Sequence, residues 1–211
     1  AARHNAEEEA MMTTQPLTAG AGDAGFPLRL EIAFPPHLSR GLLFVRWLLA
    51  IPHFLIVSVL EYLQGLITLI AFFAILITAR YPRELFDFYV KCWRWTMNVT
   101  AYAGFFRDEY PPFGWEAGQY PPVTFDVAYP PHLSRGLIFV KWLLALPHYL
   151  ALSVLFVIAV IVWIAAWFAI LFTGRFPRGM FDFLVGVLRW TARVQAYATL
   201  LRDEYPPFTT A

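Results

Sequence analysis

The residues that could carry chemistry come in pairs set 95 positions apart. His53 and His148 each follow a proline inside a long apolar run, and Arg46 and Lys141 precede them by seven residues. Ionisable groups in such surroundings are costly and often functional. Two symmetry-related histidines are the residue type of an axial haem pair, and quinone contact or proton handling would use the same side chains. A structural role is the preferred reading. A proline frees the carbonyl four residues before it, and a neutral imidazole N–H can satisfy a carbonyl nearby. No cofactor is therefore expected, with haem as the alternative. Arg46 and Lys141 share a helix face with Ala50 and Ala145. They are expected to snorkel towards an interface, the alternative being a place inside the bundle with an acidic partner.

Arg80, Arg83, Arg175 and Arg178 stand where the apolar runs end. Anionic lipid headgroups are natural partners there, at about 1 kcal/mol per cation; topological anchoring alone is the competing reading. Asp87 and Asp182 are within reach and are expected to pair with some of them. His37 and His132 follow double prolines and read as surface or capping residues. Cys92 is the only cysteine, which excludes an intrachain disulfide and suits apolar filling better than acylation. His, Cys, Asp and Glu are too scattered for a metal site. No nucleophile elbow, phosphate loop or dinucleotide fingerprint occurs, so no enzyme is expected.

The elements that must position these residues follow from a repeat. Residues 28–113 align with 123–208 without a gap, and more than half of the positions are identical. Phe34-Pro35-Pro36-His37-Leu38-Ser39-Arg40-Gly41 returns as Tyr129-Pro130-Pro131-His132-Leu133-Ser134-Arg135-Gly136, and Arg107-Asp108-Glu109-Tyr110-Pro111-Pro112-Phe113 returns intact at 202–208. Two copies of one unit, related by a pseudo-two-fold axis, are implied. The divisions are a tail at 1–25, one repeat at 26–116 and another at 117–211.

Each repeat opens with an alternating stretch, Leu28–Phe34 or Val123–Tyr129, that predicts a β-strand. The apolar run follows, Leu42–Ala79 or Leu137–Gly174. As a single helix it would extend about 57 Å, nearly twice a hydrocarbon core of roughly 30 Å. The length predicts a transmembrane helical hairpin, with a turn near Glu61–Gly65; the second copy has only apolar Phe156–Val160 there. Next come Glu84–Phe106 and Gly179–Leu201. Glu84, Asp87, Lys91, Arg94 and Asn98 make a polar stripe on the first of these, and Asp182, Gly186, Arg189 and Arg193 on the second. The pattern predicts an amphipathic interfacial helix. A Tyr-Pro-Pro-Phe exit closes each unit. The expected fold class is mainly α and membrane-integral.

Composition agrees with that class. Hydrophobic residues make up 59%, aromatics 18% and charged residues 15%, with mean hydropathy +0.54. A net charge of +1 provides no field for nucleic acid. Lys and Arg flank the ends of the runs, and the expected hairpin tips carry none. The positive-inside rule then puts both termini, the strands and the interfacial helices in the cytoplasm, and an even number of spans keeps the two copies in one orientation. Residues 1–25, rich in Ala, Gly, Thr and Glu, read as a mobile tail without a signal peptide.

The string Lys141-Trp142-Leu143-Leu144-Ala145-Leu146-Pro147-His148, with Phe168–Gly179, Phe181-Asp182-Phe183, Val187-Leu188-Arg189-Trp190 and Asp203-Glu204-Tyr205-Pro206-Pro207-Phe208, closely resembles one bacterial membrane family. That family is catalogued as domain of unknown function four-three-eight-nine. The resemblance covers nearly everything after residue 27, and the first copy departs from it at Glu61, Glu84, Lys91 and Cys92. It implies a multi-pass protein of the bacterial inner membrane. The function expected from the residues is a non-catalytic scaffold or accessory subunit, with membrane lipids and other membrane subunits as partners. A small transporter or channel on the pseudo-two-fold axis and a haem or quinone module are the rivals.

Overall fold

The computed structural model describes residues 26–210; the predicted tail at 1–25 lies outside them. Strand β1, Leu28–Ile32, pairs antiparallel with β2, Val123–Val127. On both strands alternate residues are buried, so Leu28, Leu30, Ile32, Val123, Phe125 and Val127 face inward. Arg29, Glu31, Thr124 and Asp126 take the other face, as a period of two requires. Leu30 lies opposite Phe125, and these are the same position of the two repeats. The dyad of an antiparallel pair stands normal to the sheet, so the pseudo-two-fold axis pierces the sheet at this pair.

The apolar runs are not hairpins. In the first copy, α1 is one continuous helix, Leu42–Thr78. In the second, α3, Leu137–Leu144, and α4, Leu146–Thr173, follow one another with a single residue between them. The break is only Ala145, itself in the right-handed helical region, two residues before Pro147, and Pro52 at the matching place leaves α1 continuous. No hairpin turn forms: the helix runs unbroken through Glu61–Gly65, where Gln64 is buried and donates to the Tyr89 carbonyl at 3.2 Å. Gly65 continues the helix, and Phe156–Val160 offers no turn chemistry at all.

The chain reverses after these helices instead. Ala79 and Gly174 end them in the left-handed conformation, with φ of 57° and 70°. A proline then starts the next helix: α2 spans Arg83–Ala103 and α5 spans Arg178–Ala198. Each folds back antiparallel along its long partner. On α1 the buried residues are Leu43, Arg46, Ala50, His53, Val57, Leu60, Gln64, Ile67, Ala71 and Ile75. Their spacing of three and four makes a narrow coiled-coil-like seam, which α2 covers.

Three layers result. The sheet packs on α2 and α5, and these pack on α1 and α3–α4. Each strand lies against the other repeat's helix, β2 on α2 and β1 on α5. Arg94 donates to the Phe125 carbonyl at 3.1 Å and Arg189 to the Leu30 carbonyl at 3.2 Å, one bond in each copy. The two long helices run antiparallel and meet through aromatic edges, Phe44 on Trp167 and Phe72 on Phe139. At their ends Leu38 N–H donates to Gly174, and Leu133 N–H donates to Ala79.

The predicted interfacial helices are thus the middle layer of the protein. Much of α2 and α5 is covered, and the C-terminal part of their polar stripe meets the sheet and loops, while Glu84, Asp87 and Asp182 at its start keep solvent. Asn98 and Arg193 are buried on it, and Lys91 pairs with Glu116 at 2.9 Å. Amphipathic periodicity records which face meets apolar groups and which meets polar ones. It does not record whether the polar partner is water or protein.

Candidate functional site

Arg46 and Lys141 do not snorkel. Each sits on the seam of its long helix and is about 1% exposed. The Arg46 guanidinium pairs with Asp108 and donates to the Tyr102 carbonyl at 2.8 Å. Lys141 pairs with Asp203 at 2.7 Å and donates to the Arg202 carbonyl at 2.6 Å. Tyr102 and Tyr197 lie under the two cations at 5.0 and 5.1 Å, close enough for cation–π attraction. Burial pushes the phenol pKa values of both tyrosines up.

The acidic partners come from the strap that leaves α2 and α5. Along it every residue type finds a use. Arg107 donates to the Ala33 carbonyl and pairs with Glu109, and Arg202 does the same with Ala128 and Glu204. Asp108 and Asp203 also accept from the backbone N–H groups of Ser39 and Ser134. Tyr110 and Tyr205 donate to the Leu49 and Leu144 carbonyls at 3.1 and 3.2 Å. Burial raises the Glu109 and Glu204 carboxyl pKa values, but the neighbouring guanidiniums outweigh it and leave both below the ordinary glutamate value.

His53 and His148 lie on the same seam with no exposure. Their partner is not a freed carbonyl. Trp95 Nε1 donates to His53 Nδ1 at 3.1 Å, and Trp190 Nε1 to His148 Nδ1 at 3.2 Å. Indole is a donor only, so Nδ1 is unprotonated and the ring proton of the neutral histidine is on Nε2. Phe113 stacks on His53 at 4.2 Å and Phe208 on His148 at 3.9 Å. Both Nε2 atoms are buried without a hydrogen bond of ordinary geometry, and the Pro111 backbone lies near the His53 ring. An iron-bound imidazole needs a bare Nε2 and a protonated Nδ1. The indole donor opposes that tautomer, and the stacked phenylalanine closes one ring face.

The four arginines at the helix ends form a separate group. Arg83 and Arg178 pair with Asp87 and Asp182 at 3.1 and 3.0 Å and lie over the Tyr129 and Phe34 rings. Arg80 and Arg175 are exposed. Cys92 is buried in the core, and burial pushes its thiol up to about 11. Among the described residues no group of three His, Cys, Asp or Glu side chains could hold a metal ion.

The paired architecture agrees with what the sequence matches. Residues 40–114 and 135–210 each match the model of the family described as Domain of unknown function (DUF4389). The chain belongs to that family. No curated protein and no solved structure matches it. The two DUF4389 units run from Arg40 and Arg135 through the strap, so the strands lie outside the matched stretches. Each unit is then a long helix, its return helix and a strap that locks a cation and a histidine to the seam. The strap was visible in the sequence as a seven-residue string identical in both copies. Its separation from Arg46, by 62 residues to Asp108, hid the contact.

Proposed function

We propose that this chain is a non-catalytic membrane protein that works by association, as a scaffold or accessory subunit of a larger membrane assembly. The observation that carries the proposal is the dressing of the two long helices. Both are long and apolar enough to cross a membrane, and only 28% and 17% of their most apolar stretches are buried inside the protein. Phe44, Leu48, Leu55, Leu69 and Phe73 on one, with Phe139, Leu150, Val157, Ile161 and Phe168 on the other, are exposed. So much contiguous apolar surface far exceeds what a soluble monomer presents, and lipid is the solvent that suits it. Arg46 and Lys141 are held in buried ion pairs, and Nδ1 of His53 and of His148 accepts an indole N–H, which supports a non-catalytic role. The cytoplasmic membrane of a bacterium is the proposed location.

Purification from native membranes in mild detergent tests the proposal. Co-purification of stoichiometric membrane subunits is the expected result. A lone monomer whose reconstituted vesicles pass solutes would replace it with the transporter reading.

A further inference from the structure

Resting on the membrane reading just proposed, we infer that the long helices lie in the plane of one leaflet of an anionic bilayer instead of crossing it, with the pseudo-two-fold axis along the membrane normal. The axis passes through Leu30 and Phe125, normal to the sheet. A rotation about it carries α2 onto α5 and keeps both on one face of the sheet. It also carries α1 onto α3–α4, which run antiparallel as the layer furthest from the sheet. The molecule has a polar side, the outer face of the sheet, and an apolar side, the outer faces of the long helices.

A crossing orientation sets these helices along the membrane normal and turns the axis into the membrane plane. The sheet would then stand beside the helix midpoints, at the level of the bilayer centre. Its outer face carries Arg29, Glu31, Thr124 and Asp126, and Arg94 meets Asp126 there at 3.3 Å. The Lys91–Glu116 pair, partly exposed, would share that depth. Charges at the bilayer centre are strongly disfavoured. Crossing would also put the same basic motif on both sides of the membrane. Arg40 and Arg175 sit at one end of the helix pair, and Arg80 and Arg135 at the other, because Leu38 bonds Gly174 and Leu133 bonds Ala79. Each helix is about 55 Å long at 1.5 Å per residue, far beyond a hydrocarbon core of roughly 30 Å.

Lying flat removes all three conflicts. The seam of α1 faces the middle layer, and the residues opposite it are Leu48, Ile51, Leu55, Val59, Tyr62, Leu66, Leu69 and Phe73, with no charge among them. The exposed acid of this helix, Glu61, adjoins the seam residue Leu60 and is turned away from that outer row. The outer row of α4 is likewise uncharged. Exposed Arg40, Arg80, Arg135 and Arg175 then stand at one depth around an apolar face, where anionic headgroups complement them. An apolar helix face ringed by arginine is the arrangement of a helix that lies on a leaflet.

The test uses the full chain in mixed phosphatidylcholine–phosphatidylglycerol vesicles. A variant carrying both Arg40→Cys and Arg135→Cys is treated with a membrane-impermeant maleimide and weighed by mass spectrometry. A molecule lying in one leaflet takes two labels or none, according to which leaflet it entered. A molecule that crosses takes one label at either end. Polarised infrared spectra of aligned bilayers give a second reading that needs no substitution, with the long helices expected parallel to the membrane plane. One label per molecule with helices along the normal overturns the inference and leaves the membrane reading standing. Failure of the unmodified chain to float with the vesicles, or its release by alkaline carbonate, overturns both.

Discussion

Trp95 hands its indole N–H to Nδ1 of His53, and Trp190 repeats the bond to His148. The bond fixes a neutral ring with its proton on Nε2, walled by Phe113 or Phe208. Purified protein is expected to show no Soret band. Replacing both histidines by Gln, which can accept from the indole through its carbonyl oxygen, should leave the protein folded and its visible spectrum unchanged. A Soret band in the unmodified protein that disappears in this variant would establish haem ligation instead. Trp95→Phe leaves Nδ1 buried without a donor and should cost about 1–3 kcal/mol, read from unfolding in detergent.

Asp203→Asn strands the Lys141 ammonium inside the protein. Breaking a buried pair in this way costs about 3–5 kcal/mol. The low end is expected, because the Asp203 side chain keeps 26% of its exposure. The double variant Lys141→Met with Asp203→Asn removes the charge together with its partner and should recover most of the loss. Denaturant unfolding of the single and double variants measures the difference; equal losses would mean that the ion pair is not what matters.

Acid should weaken the straps. Glu109 and Glu204 have folded pKa values below the ordinary 4.5, so the folded state favours their charged form. Their contribution is complete above that value and is lost as pH falls from about 4.5 through the lowered folded values. Unfolding midpoints measured down the acid range should drop less in Glu109→Gln with Glu204→Gln than in the unmodified chain.

Ala79 occupies a left-handed helix cap that its counterpart Gly174 fills without strain. Ala79→Gly is expected to raise stability by about 0.5–1 kcal/mol, because the Cβ penalty there exceeds the added freedom of the unfolded chain. Gly174→Ala should lower it by a similar amount. Thermal melts of the two variants should shift in opposite directions.

Much of this was legible in the chain itself. The repeat, its pseudo-symmetry, the strands and the membership of the family follow from residues that recur at a fixed offset and alternate with a fixed period. So does the pairing of Arg46 with His53 on one face of the first long helix and of Lys141 with His148 on the matching face of the second, since a seven-residue spacing returns to the same side of a helix. Local spacing also marks Arg83 with Asp87, and Arg178 with Asp182, as i,i+4 pairs.

Only the tertiary structure decided what that helix face meets. Asp108 reaches Arg46, and Trp95 reaches His53, because α2 folds back along α1 from a reversal at Ala79–Pro82. The polar stripe of α2 looked like a solvated face because periodicity reports polarity but not the partner. Its partner is a strand of the other repeat, Arg94 on the Phe125 carbonyl. The length of the apolar runs predicts a hairpin, yet Phe156–Val160 has no residue that could satisfy the backbone groups a turn frees, and in the first copy Gln64 is spent on the Tyr89 carbonyl of the return helix instead. Sequence determines the intrinsic preference of each segment. Which distant segment supplies its counter-charge, donor or covering surface is settled by packing, where contacts between residues far apart in the chain offset the entropy of bringing them together.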